Sequence, residues 1–361
     1  MPARLVPLRP LLTAAAYAII VAVTVAFLSY GRALLIPLAI AIMIWHLINA
    51  LSSFYRSMGR NGWRPPVWLC YVAALMTIFG GLTIMVELIM DNVARVSLAA
   101  PDYEANLRQV LRAMYDMIGM KTAPSFTQIV EQISIGSVVT TVAGTLGGVA
   151  GSAGIVIVYV VFMLIEQGSF DRKLHALLPD PGRATRLRRL LGRIASQIQG
   201  YLWVKTLMSL LTGTVSFAIL WTVGVDFAEF WALIIFLLNF IPTIGALLGV
   251  IFPALLALVQ FETIFPFLVV TSALTATQFM VGNLLEPRLM GRKLNLSPLV
   301  IILSLTFWGM VWGVVGMILC VPITVSIMII CGHFAPTRPI AIMLSSDGEI
   351  DWHSDFTQAA P

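Results

Sequence analysis

The chain alternates between long apolar runs and shorter polar segments. The first four runs lie at about 11–29, 33–51, 67–90 and 137–165. Each is close to or above the roughly 18–20 residues that a helix needs to cross about 30 Å of hydrocarbon. Lipid offers the backbone no hydrogen-bond partners, so such runs must form helices, and the alternating ten-residue pattern of a β-barrel is missing. The pattern predicts an all-α, polytopic transmembrane helical bundle.

Two longer polar segments separate these runs. In the first, Leu107, Val110, Leu111, Met114 and Ile118 recur at helical spacing, which predicts an amphipathic helix in an outer cap or in a lid that contacts substrate. In the second, an apolar face lies opposite Arg186, Arg189 and Arg193. That helix either lies in the anionic inner interface or packs on its own protein.

Basic residues predict the orientation of the chain. Arginines but no acids occupy 52–66, and seven basic residues occupy 166–200, so the positive-inside rule places both segments in the cytoplasm together with the N-terminus. The fourth apolar run has glycines at or near four-residue steps, which predicts close helix packing inside a bundle or an oligomer. The predicted organisation is three spans in 1–90, an outer segment in 91–135, a Gly-rich span in 136–165, a cytoplasmic segment in 166–200, a transport core in 201–331 and a disordered cytoplasmic tail in 332–361.

The transport core contains two apolar stretches that are too long for one crossing and too short for two. After a fifth span at 201–223, the stretch 228–259 is interrupted by Asn239, Pro242 and Gly245. After a further apolar run at 264–281, the stretch 297–330 is interrupted by glycines that include Gly309 and Gly313. A re-entrant hairpin resolves each case, giving about eight membrane segments and, as a hypothesis, an inverted repeat.

Composition and charge narrow the function classes. Hydrophobic residues make up 59% of the chain and charged residues 11%, which excludes an ordinary soluble domain. The net charge of +5 resides beside apolar spans and not among exposed aromatic residues, so nucleic acid is not a predicted partner. The three cysteines lack metal-ligand spacing, and no hydrolase, phosphate-loop or zinc motif occurs. We therefore predict no enzyme activity, metal or cofactor, and expect uphill transport to draw on an ion gradient.

Polar groups inside hydrocarbon are costly, and the few in the core are candidate site residues. Asn239 lies beside Pro242, whose missing N–H frees a carbonyl that could face a solute or cation, although Asn239 could equally cap a helix. Gln278 and Asn283 either line a path or hydrogen-bond across helices.

Charged and glycine positions complete the predicted substrate path. Glu286 and Arg288 flank Pro287 and could form the ion pair of a gate, with Glu286 as a proton acceptor, or a static interfacial salt bridge. Gly309 and Gly313 allow close approach of a ligand or of another helix. With Gly245 at the first break, these residues are predicted to line the path of transport.

A series of motifs follows in order along the second half of the chain: Asn239-Phe240-Ile241-Pro242 with Gly245, Glu286-Pro287-Arg288-Leu289-Met290-Gly291, Leu296-Ser297-Pro298-Leu299, Phe307-Trp308-Gly309, Trp312-Gly313, Gly316 and Val321-Pro322. In these motifs the second half resembles the autoinducer-2 exporter family of permease-like membrane proteins. Ser297 stands where histidine is frequent in that family. The first half matches in layout only.

The resemblance implies a homo-oligomeric, multi-pass protein of the prokaryotic inner membrane. Its partners would be the lipid bilayer and a small-molecule or ion substrate. The leading hypothesis is an ion-gradient-coupled secondary transporter that exports a small solute such as a signalling molecule. A sodium/proton antiporter is the alternative that the family also includes, and a channel-like pore is the alternative of another class.

Overall fold

The computed structural model describes residues 8–58, 65–118, 135–178, 180–261, 263–290 and 295–348. Apart from a single bridge between Leu296 and Ser345, these residues contain no β-structure, which confirms the all-α prediction. In chain order the elements are α1 (Leu8–Tyr30), α2 (Arg32–Ser57), α3 (Val67–Ile118), α4 (Ile135–Glu166), α5 (Phe170–Leu177), α6 (Pro181–Val223), α7 (Ala228–Leu238), α8 (Ile244–Gln260), α9 (Ile264–Phe279), a π-helical segment (Met280–Leu285), α10 (Glu286–Met290), α11 (Pro298–His333), a 3-10 turn (Ala335–Thr337) and α12 (Arg338–Leu344).

Several helices have the length and composition of membrane spans. Within the described ranges, five qualify: Arg32–Ser57, Val67–Asn92, Pro181–Val223, Ile264–Met290 and Pro298–His333. A sixth qualifies if Ala153–Glu166 and Phe170–Leu177, which meet at 69°, are taken as one bent span. These results confirm a polytopic helical membrane protein.

Two helices extend well beyond the length of a crossing. The 52 residues of α3 rise about 78 Å, so the predicted outer amphipathic segment up to Ile118 is the end of this helix. Side chains there, and residues 119–134, lie outside the described part of the chain. Helix α6 likewise carries the basic amphipathic segment directly into the fifth span. Leu190 and Ile194 pack against the core of the second hairpin described below, which favours the alternative that this segment packs on its own protein.

Helices α7 and α8 form the first hairpin. The side chain of Gln260 links the end of α8 to the residues just before α7. Its Nε2 donates to the Gly224 carbonyl oxygen, and its Oε1 accepts from the Asp226 N–H, each at 2.8 Å. At the turn, a methyl group on Gly245 would overlap the Leu238 carbonyl oxygen. Only glycine permits this approach, and Thr243 adopts a left-handed φ of 63° beside it. The predicted break is therefore a turn between two helical arms.

Helix α11 also turns back on itself and forms the second hairpin. Gly313 has φ 63° and ψ −142°, a conformation that interrupts the helix. A methyl group on Gly316 would overlap the Trp308 carbonyl oxygen, and one on Gly309 would meet the Met317 side chain. Residues eight apart in a straight helix lie about 12 Å from each other, so these contacts require a fold at Gly313. Although 298–333 is long enough for one crossing, its two arms run in opposite directions.

The chain after α11 returns to the start of the second hairpin. Ser297 N donates to the Leu344 carbonyl oxygen at 3.0 Å, and Ser346 N donates to the Asn295 carbonyl oxygen at 3.2 Å. Ala341 of α12 is fully buried. The predicted disordered tail from Gly332 is therefore wrong for 332–348, because α12 supplies apolar side chains that pack on α11. The acidic residues at 349, 351 and 355 lie outside the described residues.

Three apolar clusters show where the core lies. One joins α2, α3 and α4 around Ala41 and Ala74. A second joins the end of α6 with the first hairpin and α9, around Leu220 and Leu274. The third joins the start of α6 with the second hairpin and α12, and it includes Ile241 from the turn of the first hairpin. Helix α6 thus lies between the two hairpins, and the tip of the first reaches the core of the second.

The turn of the first hairpin offers a test of this packing. We expect Gly245→Ala to destabilise the protein by roughly 1–3 kcal/mol, because its methyl group forces the arms apart. Gly81→Ala is the matched control, since a methyl group there meets no atom within 4 Å and alanine favours the helix. Thermal unfolding of the purified protein in detergent measures both. Equal unfolding temperatures for the two variants would contradict the close approach of Gly245 to Leu238.

Candidate functional site

A stripe of buried polar side chains runs along α6. Lys205, Ser209, Thr212 and Ser216 follow one another at i, i+4, i+7 and i+11, which places them on one face of the helix. All four are buried in the folded chain. Burial of polar side chains costs free energy unless they form hydrogen bonds or ion pairs. The groups that contact this polar stripe therefore define the candidate site.

The charged end of the polar stripe is a buried ion pair. Lys205 Nζ donates to Glu286 Oε1 at 2.8 Å and to Oε2 at 3.0 Å, so the ammonium engages both carboxylate oxygens. The Lys205 side chain is 7% exposed and that of Glu286 is 18% exposed. Each charge neutralises the other where neither could remain alone without a large desolvation cost. The pair connects α6 to α10, 81 residues further along the chain.

The backbone around Glu286 departs from a regular α-helix. Helix α9 widens into the π-helical segment 280–285, and the Glu286 N–H donates to the carbonyl oxygen of Val281, five residues earlier. Pro287 explains part of this geometry, since proline lacks an N–H and its ring clashes with the carbonyl four residues before it. π-Helical turns are frequent at functional sites. Glu286 therefore projects onto the long helix α6 from a junction whose backbone is not regular α-helix.

The second polar contact of the stripe reaches the turn of the first hairpin. Asn239, buried at the end of α7, donates from Nδ2 to Ser209 Oγ at 3.1 Å. Its backbone N–H caps the end of α7 by donating to the carbonyl oxygens of Ile235 and Leu237, so Asn239 occupies a capping position while its side chain bonds to α6. The carbonyl of Leu238, which Pro242 leaves without its usual helical donor, accepts from the Ile241 N–H at 2.8 Å and is covered by Gly245. The asparagine side chain, and not that carbonyl, is the polar group that faces α6.

Gln278 brings α9 to the same hairpin. The side chain is half-buried, and its Nε2 would lie 3.2 Å from a methyl group on Gly249 of α8. Because Gly249 has no side chain, the amide of Gln278 can pack against the first hairpin. The amide contributes a polar group between α8 and α9. Asn283, five residues further on, is exposed.

Other polar groups adjoin the ion pair. Tyr201, one turn before Lys205, is buried and lies within electrostatic range of Glu286 and Cys320. Cys320, in the second arm of the second hairpin, also interacts with Lys205 and with the Ser304 side chain from the first arm. Both arms of the second hairpin therefore contribute polar atoms beside the pair.

Some polar atoms near the stripe have no protein partner. Ser216 Oγ and, on α7, Trp231 Nε1 are buried and lack a hydrogen-bond partner in the described structure. A solute or water bonded to them would remove that cost. Among the residues that the structure describes, no three His, Cys, Asp or Glu side chains are grouped as a metal site.

The structure separates the predicted pair of Glu286 and Arg288. Arg288 is exposed, and the ion pair of Glu286 is with Lys205, so the predicted partner was wrong. The reason is helical geometry, because residues two apart project from different sides of a helix. Gly309 and Gly313 are at the turn of the second hairpin, where Gly309 meets Met317 and Gly313 supplies the reversal.

Lys205 is the functional candidate that the sequence analysis missed. It lies only four residues into the fifth apolar span and was counted as part of it. A lysine in an apolar run is itself a sign of function, and Ser209, Thr212 and Ser216 follow it on the same helix face. That combination, a charge followed by a polar stripe, was the signal that could have identified the site.

Known proteins resemble the chain over nearly its whole length. A family described as "AI-2E family transporter" matches residues 17–335. The "AI-2 transport protein TqsA" of Escherichia coli (strain K12) is 30% identical over 323 residues, which cover 88% of this chain and 90% of that protein. A "Putative transport protein" of Haemophilus influenzae is 30% identical over 318 residues, covering 86% and 88% respectively. The likeness therefore extends beyond the second-half motifs into the first half.

The energetics of the buried pair can be tested without knowing the substrate. We expect Lys205→Met to destabilise the protein by about 3–5 kcal/mol, because it leaves the Glu286 carboxylate buried without its partner. The double variant Lys205→Met with Glu286→Met should recover most of that loss, since no buried charge remains. Unfolding free energies of the single and double variants in detergent, arranged as a double-mutant cycle, give the coupling energy.

An exposed ion pair provides the control for this cycle. Arg188 Nη2 lies 2.9 Å from Asp171 Oδ2, and both side chains are more than half exposed. Removal of that pair by Arg188→Met should cost only about 0–1 kcal/mol. A Lys205→Met effect no larger than the Arg188→Met effect would mean that the buried pair does not stabilise the fold.

Proposed function

Because this chain belongs to the AI-2E family of transporters, we propose that it is an ion-gradient-coupled secondary transporter whose small polar solute passes along the polar stripe of α6. Membership in the family makes it a multi-pass membrane transport protein. The single observation that carries the proposed path is the run of buried polar side chains on α6 between two helical hairpins, in which the Ser216 hydroxyl has no hydrogen-bond partner within the described structure.

The arrangement of the two hairpins supports a carrier. Broken membrane helices place polar and backbone groups at a site between repeats in many secondary transporters. Here Asn239 from the first hairpin and Cys320 from the second face the same helix, α6. A solute bound among them would contact elements that can move separately, so access can alternate between the two sides. The E. coli relative is named an AI-2 transport protein, and we propose a signalling molecule or a similar small polar solute as substrate.

Two other functions remain as competing hypotheses. A monovalent cation/proton antiporter would use Glu286 as its ion-binding carboxylate. A channel-like pore would move solute without coupling.

The proposed orientation has the N-terminus in the cytoplasm of a prokaryote and the protein in its inner membrane. The exposed basic side chains at the start of α6, among them Arg183, Arg186 and Arg189, would then face the anionic inner leaflet. We also propose that the chain assembles as a homo-oligomer. In the single chain, methyl groups on Gly144, Gly151 and Gly154 of α4 would meet no atom within 4 Å, which leaves this face open to a second copy.

The proposed path can be tested in proteoliposomes. Purified protein would be reconstituted with a defined mixture of small polar metabolites, and sodium, proton and metabolite movement would be recorded by fluorescent dyes and mass spectrometry. We expect the wild type to move at least one metabolite, and Asn239→Ala or Ser209→Ala to slow that flux about tenfold, as loss of a buried hydrogen bond worth about 1.4 kcal/mol implies.

Ser272→Ala is the matched control for the Ser209 variant. The Ser272 hydroxyl is exposed on α9 and donates to its own helix at Val269 O. Its removal should leave flux unchanged. Equal flux in the Ser209, Asn239 and Ser272 variants would remove α6 from the path, and saturation absent at all metabolite concentrations would favour the pore.

A further inference from the structure

The Lys205–Glu286 pair combines a deeply buried cation with a less buried carboxylate. The ammonium is almost completely enclosed, whereas the carboxylate keeps more than twice that exposed fraction, 18% against 7%. Of the two partners, Glu286 is the less enclosed and therefore the more accessible to a proton. Resting on the proposed transport function, we propose that Glu286 is the proton-binding site that couples transport to the proton gradient, with Lys205 as its built-in counter-cation.

The chemistry of the pair selects a proton over a metal cation. Both carboxylate oxygens already bond to one ammonium, at 2.8 and 3.0 Å. A sodium ion at the carboxylate would lie against the positive charge of Lys205 and would need several further oxygen ligands, which hard cations require. The described residues provide no group of acidic side chains there. A proton needs only one lone pair of one carboxylate oxygen, and it adds no atom to the enclosed site.

The surroundings of Glu286 contain few other groups that could take the proton. Helix α6 contributes Lys205 and Tyr201, and α11 contributes Cys320, which interacts with both of them. The π-helical segment that precedes Glu286 contains no titratable residue, and Arg288 on α10 itself is exposed. Glu286 is the one carboxylate among these groups. Its oxygens have lone pairs that can accept a proton, whereas the ammonium of Lys205 has none.

Protonation changes the force between α6 and α10. A proton from water adds to a carboxylate oxygen of Glu286, and the carboxylate becomes a neutral carboxylic acid. The ammonium of Lys205 is then buried without a compensating charge. This cost favours a movement that separates α10 from α6. The adjacent π-helical segment and Pro287 interrupt the regular helix, and the proposed movement of α10 away from α6 takes place at this junction. Release of the proton restores the pair and the starting contact.

The test compares driven accumulation with simple exchange in the same proteoliposomes. The probe is the defined mixture of small polar metabolites, followed under a one-unit pH gradient, under a sodium gradient and with no gradient. We expect the wild type to accumulate a metabolite up to about tenfold with the pH gradient, the limit for one proton per solute, and not with sodium alone. Glu286→Gln mimics the protonated acid and should exchange metabolite across the vesicle while losing accumulation.

Two further variants serve as controls. The double variant controls for a folding defect caused by an unpaired buried charge, and the Glu87 variant controls for a general effect of removing a carboxylate. The double variant Lys205→Met with Glu286→Gln has no buried charge and should also lose pH-driven accumulation. Glu87→Gln removes an exposed carboxylate from α3 and should behave as the wild type.

Each outcome has one meaning. Accumulation retained by Glu286→Gln, or driven by sodium and not by pH in the wild type, would overturn the coupling assignment and leave the transport proposal intact. Loss of both exchange and accumulation in the Glu286 variants, with their folding preserved, would place Glu286 in solute binding and likewise overturn it. No metabolite movement by the wild type under any gradient would contradict the transport proposal itself, and the coupling proposal with it.

Discussion

Inside a membrane, a polar group has no water to bond and must find its partner within the protein. The two hairpins and the polar stripe of α6 follow from that constraint. Where the chain breaks at Asn239 and at Gly313, it turns between two helical arms, so that most backbone groups stay within helices. Glycines at the turns let the two arms of each hairpin approach so closely that the glycine backbone covers carbonyl oxygens and a side chain of the opposite arm. The hairpins are therefore compact structures and not loops exposed to lipid.

Helix α6 packs against both hairpins. Its final turns pack against the first hairpin, and its earlier turns pack against the second. The Lys205–Glu286 pair ties this helix to the junction that precedes the second hairpin. Such a pair contributes little to stability compared with apolar packing of the same volume. We propose instead that the pair serves a function in which the charges separate and recombine.

The sequence predicted the elements whose signals are local. Apolar run length located the spans, and the positions of Asn239, Pro242 and Gly313 identified both breaks, because helix breakers act on their own neighbours. The partner of Glu286 could not be found in the same way. Lys205 is 81 residues away, and only the packing of α6 against α10 brings the two together. Local proximity instead suggested Arg288, which helical geometry directs elsewhere.

The end of the chain was misjudged for a similar reason. Acidic residues near the C-terminus dominated its composition and predicted disorder, whereas the short apolar segment of α12 gains its order from α11 and from the bridge between Leu296 and Ser345. A seven-residue helix is not stable alone, so no local pattern could predict it.

The hypothesis of an inverted repeat requires the first hairpin to enter the membrane from outside and the second from the cytoplasm. Cysteine labelling in intact cells tests this central requirement directly. The three native cysteines would be replaced, and single cysteines would be placed at four exposed positions: Asp226, Thr263, Arg288 and Ser346. The account predicts that a membrane-impermeant maleimide labels positions 226 and 263 from outside, and positions 288 and 346 only after the cells are opened. Labelling of 226 and 263 from opposite faces, or of 288 from outside, would contradict it.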